Sequence, residues 1–173
     1  MDKAKKYRYE RTISFLKKHR PEASNILDLG TQNNLSKLMI SSGYNVENTQ
    51  GQNLDIDFSV VKNSHIDTVT AFEIFEHMFA PFNVLRNINA KHLIASVPLK
   101  LWFANAYWNE KDDWDKHYHE FEIKQFNFLL KQTGWEIHAH EKWSSYQNFT
   151  LGIRPILRMF THRYYIVYCR KIS

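Results

Sequence analysis

The stretch that decides the fold covers residues 25–35 and reads NILDLGTQNNL. Its apolar run ends in Asp28, Leu29 and Gly30, a polar turn follows, and a helical pattern begins at Leu35. This order is typical of the first strand, turn and helix of a nucleotide-binding α/β domain. Gly30 permits a sharp turn near a ligand, and Asp28 stands close to the strand's carboxyl end, where open α/β sheets bind ligands.

Length and composition exclude several classes of protein. The 173 residues predict one domain over 1–173, and no apolar run approaches the roughly 20 residues of a membrane span. The N-terminal segment is charged and lacks the apolar region of a signal peptide, and the single cysteine, Cys169, suits a reducing compartment. We therefore expect a cytoplasmic protein. The net charge of +5 is dispersed and accompanies no recognition motif, which favours a solvated basic surface over a nucleic-acid groove.

Strand and helix patterns alternate along the chain. Strand patterns lie at 25–29, 44–49, 54–58, 67–72, 92–97, 135–140 and 164–170. Helical patterns lie at 3–19, at 34–42, from Pro81 onward, before Gly134 and over 149–160, and the first is expected to cover the sheet. The alternation predicts mostly parallel pairing with right-handed crossovers. The aromatic-rich segment 99–118 has no clean period and is predicted to be a loop or short helices that cover a site.

Four stretches carry a resemblance to a known family: ILDLG at 26–30, DTVTAFEIFEH at 67–77, LIASVP at 93–98 and HYHEF at 117–121. Together they resemble the class I S-adenosylmethionine-dependent methyltransferases, in particular the small domains of the type 11 and type 23 kind. The resemblance implies an α/β fold, a Rossmann-like three-layer sandwich with a mostly parallel seven-stranded sheet and an antiparallel last strand. It also implies an S-adenosylmethionine cofactor across the carboxyl ends of the first, second and fourth strands.

The resemblance implies a set of cofactor contacts and also shows two departures from the family pattern. The contacts fall on Asp28, Gly30, Thr31, Gln50, Asp57, Phe58, Phe72 and Glu73. Residues 31–34 supply side chains where the family has a glycine-rich turn. Gln50 stands where the family places an acid on the ribose, and an amide binds hydroxyls more weakly than a carboxylate does. Glu47 is the alternative candidate for the ribose-binding acid, although it lies before the end of the second strand.

Three of these residues also have a structural interpretation. Asp28 either accepts from the cofactor's amino group or organises the turn. Asp57 either accepts from the adenine amino group, with Phe58 against the ring, or is an exposed strand acid beside a core aromatic. Glu73 either lies beside the sulfonium or is an acid stabilised by a helix dipole.

The catalytic hypothesis rests on His117, with His77 and Glu76 in support. The resemblance places these residues beside the pocket, and imidazole is a suitable base for an acceptor hydroxyl near neutral pH. The alternatives are that Glu76 and His77 only tie their loop to its neighbours, and that His117 is a capping or hydrogen-bonding residue. We expect no metal ion, since methyl transfer requires none in principle and no Cys or acid completes a site with His138 and His140.

These observations predict methyl transfer from S-adenosylmethionine to a small-molecule or surface acceptor, with oxygen as the favoured atom. A non-catalytic S-adenosylmethionine-binding domain of the same fold is the first alternative, because the missing glycines and Gln50 weaken the match. A nicotinamide-dependent oxidoreductase is the second, poorly supported because Gly30 has no partner glycines at the dinucleotide spacing. The sequence specifies neither the structure of the acceptor nor the oligomeric state.

Overall fold

Six β-strands form one sheet within residues 2–145 and 153–172, the part of the chain that the computed structural model describes. The strands are β1 (Asn25–Asp28), β2 (Asn45–Asn48), β3 (Thr68–Phe72), β4 (His92–Pro98), β5 (Trp135–Trp143) and β6 (Tyr164–Lys171). The helices are α1 (Lys3–His19), α2 (Asn34–Ser41), α3 (Pro81–Asn87), α4 (Ile123–Gln132) and α5 (Ile153–Phe160). Of the helix expected over 149–160, residues 149–152 lie outside the described part.

The strand order in the sheet is β2-β1-β3-β4-β6-β5. Strands β2, β1, β3 and β4 pair in parallel, whereas β6 is antiparallel to both of its neighbours. Residues 93–98 of β4 are all buried, as expected for a strand covered on both faces. After β1 the chain forms β2 on one side of that strand and then β3 on the other side. A crevice therefore lies between the carboxyl ends of β1 and β3, which is where open α/β sheets bind ligands.

The expectation of seven strands is wrong, because residues 54–58 form a turn in place of a strand. The carbonyl oxygen of Asn53 accepts hydrogen bonds from the amides of Ile56 (3.0 Å) and Asp57 (2.8 Å). Its side-chain oxygen accepts from the amide of Asp55 at 3.0 Å. The Asp55 carboxylate in turn accepts from the backbone amides of Phe79 and Ala80. Asn and Asp side chains compete with strand ladders in this way, and the period-two pattern does not register it.

Helices cover both faces of the sheet and make three layers. On one face Phe15 and Leu16 of α1 and Met39 of α2 pack against Ile94 and Ile166 of the sheet. On the other face α3 and α4 pack against the sheet through Val84, Leu85, Phe126 and Leu130. The Rossmann-like three-layer architecture is thus confirmed, and α1 lies over one face of the sheet. None of the described helices is both long and apolar enough to cross a lipid bilayer.

Candidate functional site

A cavity of about 490 Å³ opens at the carboxyl ends of β1, β3 and β4. Helix α1, the loop after β3 and the segment before α4 complete its walls. Its lining residues are Arg8, Tyr9, Thr12, Asp28, Leu29, Asn33, Leu35, Phe72, Glu73, Ile74, Glu76, His77, Ser96, Pro98, Tyr107, Asp115, His117, Arg163 and Tyr164. The cavity lies at the topological switch point, where the strand order changes direction between β1 and β3. Open α/β sheets bind their ligands at such points, so this cavity is the candidate ligand site. The predicted loop 99–118 contributes Tyr107, Asp115 and His117 to the lining, in agreement with a covering role.

Asp28 holds the ends of three strands and one helix together. Its side chain is buried and accepts hydrogen bonds from Thr70 (Oγ1, 2.7 Å), Ser36 (Oγ, 2.9 Å) and Asn48 (Nδ2, 3.1 Å). Burial raises the pKa of Asp28 to about 6, although these hydrogen bonds oppose the shift. The arrangement supports the turn-organising interpretation, since the donors in the protein already occupy both carboxyl oxygens.

The turn between β1 and α2 is built from side chains, as the sequence indicates. Gly30 has a φ of 106°, a left-handed conformation that L side chains rarely adopt, and its amide donates to Thr49 Oγ1 at 2.7 Å. A Cβ atom on Gly30 would also lie 3.2 Å from Cδ1 of Ile74. The Asn33 side chain then caps α2 by accepting from the Leu35 amide at 2.7 Å. A glycine-rich turn is therefore not needed to start the helix.

Glu73 is in an unusual backbone conformation directly after β3. Its φ of 57° is the one positive value at a non-glycine residue in the described part of the chain. The carboxylate accepts from Ser96 Oγ at 2.8 Å and pairs with Arg8 Nη1 at 3.4 Å. Burial raises the pKa of Glu73, and the Arg8 guanidinium and the Ser96 hydrogen bond oppose the shift. A strained residue in a cavity wall is typical of a functional site.

Glu76 is a completely buried acid in the wall of the cavity. Neither carboxyl oxygen has a donor among the described residues, and its Oε1 lies 3.7 Å from Nε2 of His77. Burial, followed by the nearby Glu73 carboxylate, raises the pKa of Glu76 well above its usual range. The backbone of the same residue is well bonded, because its carbonyl oxygen accepts from the amides of Tyr118 (2.8 Å) and His119 (3.2 Å). These two bonds bring His117 beside residues 76 and 77.

The rings of His77 and His117 lie 4.9 Å apart, centroid to centroid, at 84°. Nδ1 of His77 lies 3.0 Å from the carbonyl oxygen of Lys116, so it carries the proton and donates it to that acceptor. Nδ1 of His117 lies 3.0 Å from Oε1 of Glu120 and donates in the same way. In the neutral form of each ring the lone pair is therefore on Nε2, and both rings line the cavity. Burial, together with His117, lowers the pKa of His77.

The Glu120 carboxylate is an orienting group that the sequence did not single out. Arg163 Nη1 donates to its Oε2 at 3.0 Å, and the backbone amide of Tyr107 donates to its Oε1 at 3.2 Å. Burial opposes ionisation of Glu120, but the hydrogen bonds from His117 and Arg163 prevail and lower its pKa to about 2. Glu120 is thus an anion that fixes the ring of His117. The sequence signal was its place inside the stretch 117–121.

The structure brings most of the predicted site residues together. Asp28, Phe72, Glu73, Glu76, His77 and His117 all line the cavity. Gly30 and Thr31 lie in the adjoining turn, where Cγ2 of Thr31 would be 3.3 Å from a Cβ on Gly51 of the loop after β2. Sequence reasoning missed Arg8, which reaches Glu73 from α1 across 65 residues and has no local signal.

The residues predicted for the adenosine part lie outside the cavity lining. Gln50 is exposed, and its side-chain amide donates to the carbonyl of Asn48 at 3.2 Å. Asp57 accepts from the amide of Ser59 at 3.0 Å, and these contacts lower its pKa. Phe58 packs against the core. Glu47, the alternative candidate for the ribose contact, instead has its Oε1 3.2 Å from Nε2 of His65.

Comparisons with known proteins add a fold-level likeness. No family model matches the sequence, and no curated protein matches it. The structure is similar to that of an S-adenosylmethionine-dependent methyltransferase from Listeria monocytogenes, described as putative, with a TM-score of 0.64, 13% identity and coverage of 96% of this chain and 99% of that one. It is also similar to the N-terminal domain of EvdMO1 with SAH bound, with a TM-score of 0.54, 12% identity and coverage of 95% and 81%.

A third similar structure is that of the cyclase SpnF, with a TM-score of 0.57, 13% identity and coverage of 95% of this chain and 82% of that one. At these identities the likeness concerns the fold. The chain therefore has the fold of the class I S-adenosylmethionine-dependent methyltransferases, and the predicted resemblance is confirmed at that level. The cyclase indicates that the fold also serves other activities.

Proposed function

We propose that the protein transfers a methyl group from S-adenosylmethionine to an oxygen atom of a small-molecule or surface acceptor. The observation that carries the proposal is the pair His117 and Glu120 in the wall of the cavity. An ionised carboxylate fixes the imidazole and leaves its Nε2 lone pair free at the cavity, which is how a general base for a hydroxyl is built. The switch-point position of the cavity and the fold likeness support the choice of cofactor.

The cavity fits the methionine end of the cofactor. That end carries a sulfonium, an ammonium and a carboxylate group. The acids Glu73 and Glu76 line the cavity and suit the two cationic groups, and Arg8 suits the carboxylate. A volume of about 490 Å³ lies within the range of small-molecule sites. The adenosine end would lie toward the loops after β1 and β2, where Thr31 and Gln50 are exposed to solvent.

Each residue of the wall has a role in this proposal. When it is bound, S-adenosylmethionine supplies an electrophilic methyl group. Asp28 keeps the ends of β1, β2 and β3 in register, while Glu73 and Arg8 position the methionine end. His117 Nε2 takes the proton of the acceptor hydroxyl, and Glu120 stabilises the resulting imidazolium. His77 and Glu76 orient the same hydroxyl.

A non-catalytic S-adenosylmethionine-binding domain is a second candidate function. Two observations favour it: the Asp28 carboxyl group already accepts hydrogen bonds from the protein at both oxygens, and the side-chain amide of Gln50 is exposed, so few groups remain for the cofactor. Turnover distinguishes the two candidates, because both predict cofactor binding.

The test begins with calorimetric titration of the protein with S-adenosylhomocysteine, with NAD as the control for an oxidoreductase. Selective binding of S-adenosylhomocysteine is expected. Hydroxylated acceptors are then offered together with S-adenosylmethionine that carries an isotopically labelled methyl group, and label in the acceptor is expected. Binding without transfer to any acceptor would favour the non-catalytic function, and no heat at millimolar S-adenosylhomocysteine would overturn both candidates.

A further inference from the structure

Three side chains in the cavity wall form a group with the composition of a metal site. Glu76, His77 and His117 can each offer one ligand atom, and these atoms all lie within 4.8 Å of one another. We propose that Glu76, His77 Nε2 and His117 Nε2 bind one divalent transition-metal ion. The expectation that no metal ion is needed rested on the reaction and on the spacing of other histidines, and the tertiary arrangement of these three residues was not visible in the sequence.

The side chain of Glu76 is the first independent observation that points to a ligand. Its carboxyl group is completely buried in the wall, and neither oxygen has a hydrogen-bond partner among the described residues. Buried polar groups are nearly always satisfied, and an unpaired buried carboxylate is costly. A bound cation resolves this conflict, because the ionised carboxylate then becomes a ligand.

The tautomers of the two histidines are the second observation. Nδ1–H of His77 donates to the Lys116 carbonyl, and Nδ1–H of His117 donates to the Glu120 carboxylate. Metal-binding histidines almost always donate their second ring N–H to a carbonyl or a carboxylate, which fixes the ring and makes it a better ligand. Here both partners are present, and both Nε2 atoms are left for an ion.

Neighbouring positive charge does not prevent binding. The cavity also contains Arg8 and Arg163, but each is paired with another acid, Arg8 with Glu73 and Arg163 with Glu120. The Asp115 carboxylate lines the same wall and adds negative charge. The local field therefore tolerates a dication.

The ligand set indicates which ions fit. Two imidazoles and one carboxylate suit Zn²⁺, Mn²⁺, Co²⁺ or Fe²⁺, whereas Mg²⁺ and Ca²⁺ prefer oxygen ligands. Three protein ligands leave at least one coordination position open, as in catalytic zinc sites. The open position faces the cavity, because all three residues line it.

The consequence for the reaction rests on the proposed function. A hydroxyl oxygen of the acceptor that binds at the open position loses its proton more easily, because a metal ion lowers the pKa of the oxygen that it binds. The Nε2 lone pair of His117 cannot bind an ion and accept a proton at the same time. With the ion bound, His117 is a ligand, and the acceptor proton passes to solvent.

The experiment measures metal binding directly. Protein freed of metal with EDTA is titrated with Zn²⁺, Mn²⁺ and Co²⁺ in calorimetry, Mg²⁺ serves as the oxygen-preferring control, and Co²⁺ binding is also followed by visible absorption. One equivalent of Zn²⁺ or Co²⁺ is expected to bind, and the visible absorption spectrum of bound Co²⁺ should report histidine and carboxylate ligands. Glu76→Gln, which keeps the shape of the side chain, and His77→Ala should each abolish that binding.

Matched controls separate this site from surface histidines. His119→Ala and His138→Ala should each retain the stoichiometric site, and Glu120→Gln should weaken it by about 10- to 100-fold through the orientation of His117. Circular dichroism checks that each variant is folded. If His77→Ala does not fold, the weakened metal affinity of Glu120→Gln still tests the site. Absence of a stoichiometric ion, or binding that is unchanged in Glu76→Gln, would overturn the proposal.

The same metal-free sample is titrated with S-adenosylhomocysteine. If the protein binds S-adenosylhomocysteine but binds no stoichiometric metal ion, the metal site is contradicted and the proposed function remains intact. Binding of one metal ion without S-adenosylhomocysteine would support the metal site and contradict the proposed function.

Discussion

The two ends of the ligand crevice differ in how firmly burial and hydrogen bonds hold their side chains in place. At the ends of β3 and β4, the side chains of Glu73, Glu76 and His117 are buried or nearly so, and backbone hydrogen bonds hold their loops together. Just after β2, Gln50 is exposed and donates to the carbonyl of Asn48, the last residue of that strand. The end assigned to chemistry is preorganised, whereas the end assigned to the adenosine is open and weakly equipped.

The difference follows from how each end is connected. The loop after β3 bonds to the segment before α4 through the Glu76 carbonyl and to β4 through Ser96. The loop after β2 is followed by the 54–58 turn in place of a strand, so less structure supports it. Substitutions at the first end should therefore change rate or stability strongly, and substitutions at the second should change cofactor affinity mildly.

The largest expected effect concerns the proposed base at the preorganised end. His117→Ala should lower turnover by about 10² to 10⁴-fold, because a general base or a metal ligand is removed, while affinity for S-adenosylhomocysteine changes little. Steady-state rates with an identified acceptor and calorimetry with S-adenosylhomocysteine measure the two quantities. His119→Ala, whose ring contacts the Phe79 carbonyl, is the control and should remain active. Full activity of His117→Ala across roughly pH 6 to 9 would contradict a catalytic role for His117.

The next effect concerns stability, and it comes from the buried Asp28. In the folded protein its pKa is raised from 3.8 to about 6, so the folded state binds this proton more tightly than the unfolded chain does. The favourable contribution is present below pH 4, near the unfolded value, and is lost as the pH rises through about 6. The loss amounts to about 3 kcal/mol of unfolding free energy.

Urea denaturation between pH 4 and 7 measures this contribution. Asp28→Asn has no titrating group at residue 28, so between these two pH values its unfolding free energy should fall by about 2 kcal/mol less than that of the parent protein. Asp113→Asn, which changes a carboxyl group whose side chain is 85% exposed, is the control. Equal pH dependence in Asp28→Asn and in the parent would show that Asp28 does not titrate in this range.

Local sequence patterns were enough to predict most of the fold. The strand, turn and helix at 25–41 and the amphipathic helix α4 follow from apolar periodicity, which reflects which face of each element is buried. The same rule failed at 54–58, because Leu54 and Phe58 pack inward from a turn that Asn53 and Asp55 hold through side-chain bonds. Periodicity records burial and does not record which backbone groups are paired.

The candidate site was predictable only in part. Glu76, His77 and His117 were singled out, and the structure places all three in one wall. Arg8 and the bond between Arg163 and Glu120 were missed, because these partners lie 65 and 43 residues apart along the chain. Contacts of this kind depend on how α1 and β6 pack on the sheet.

The smallest expected effect concerns the weakly equipped end. Gln50→Glu replaces the exposed amide with the carboxylate that the family resemblance leads one to expect there. A hydrogen bond to a charged acceptor is about 1 kcal/mol stronger than one to a neutral group, so affinity for S-adenosylhomocysteine should rise by about fivefold. Calorimetry of the variant beside the parent protein measures the change.

Gln32→Glu is the matched control, because it adds the same charge at an exposed position in the neighbouring turn. A general electrostatic attraction would raise the affinity of both variants, and high salt would abolish the gain in both. A gain that is specific to Gln50→Glu would place the ribose hydroxyls at the end of β2. If neither variant binds S-adenosylhomocysteine more tightly, the ribose does not contact residue 50, and the adenosine end lies elsewhere in the crevice.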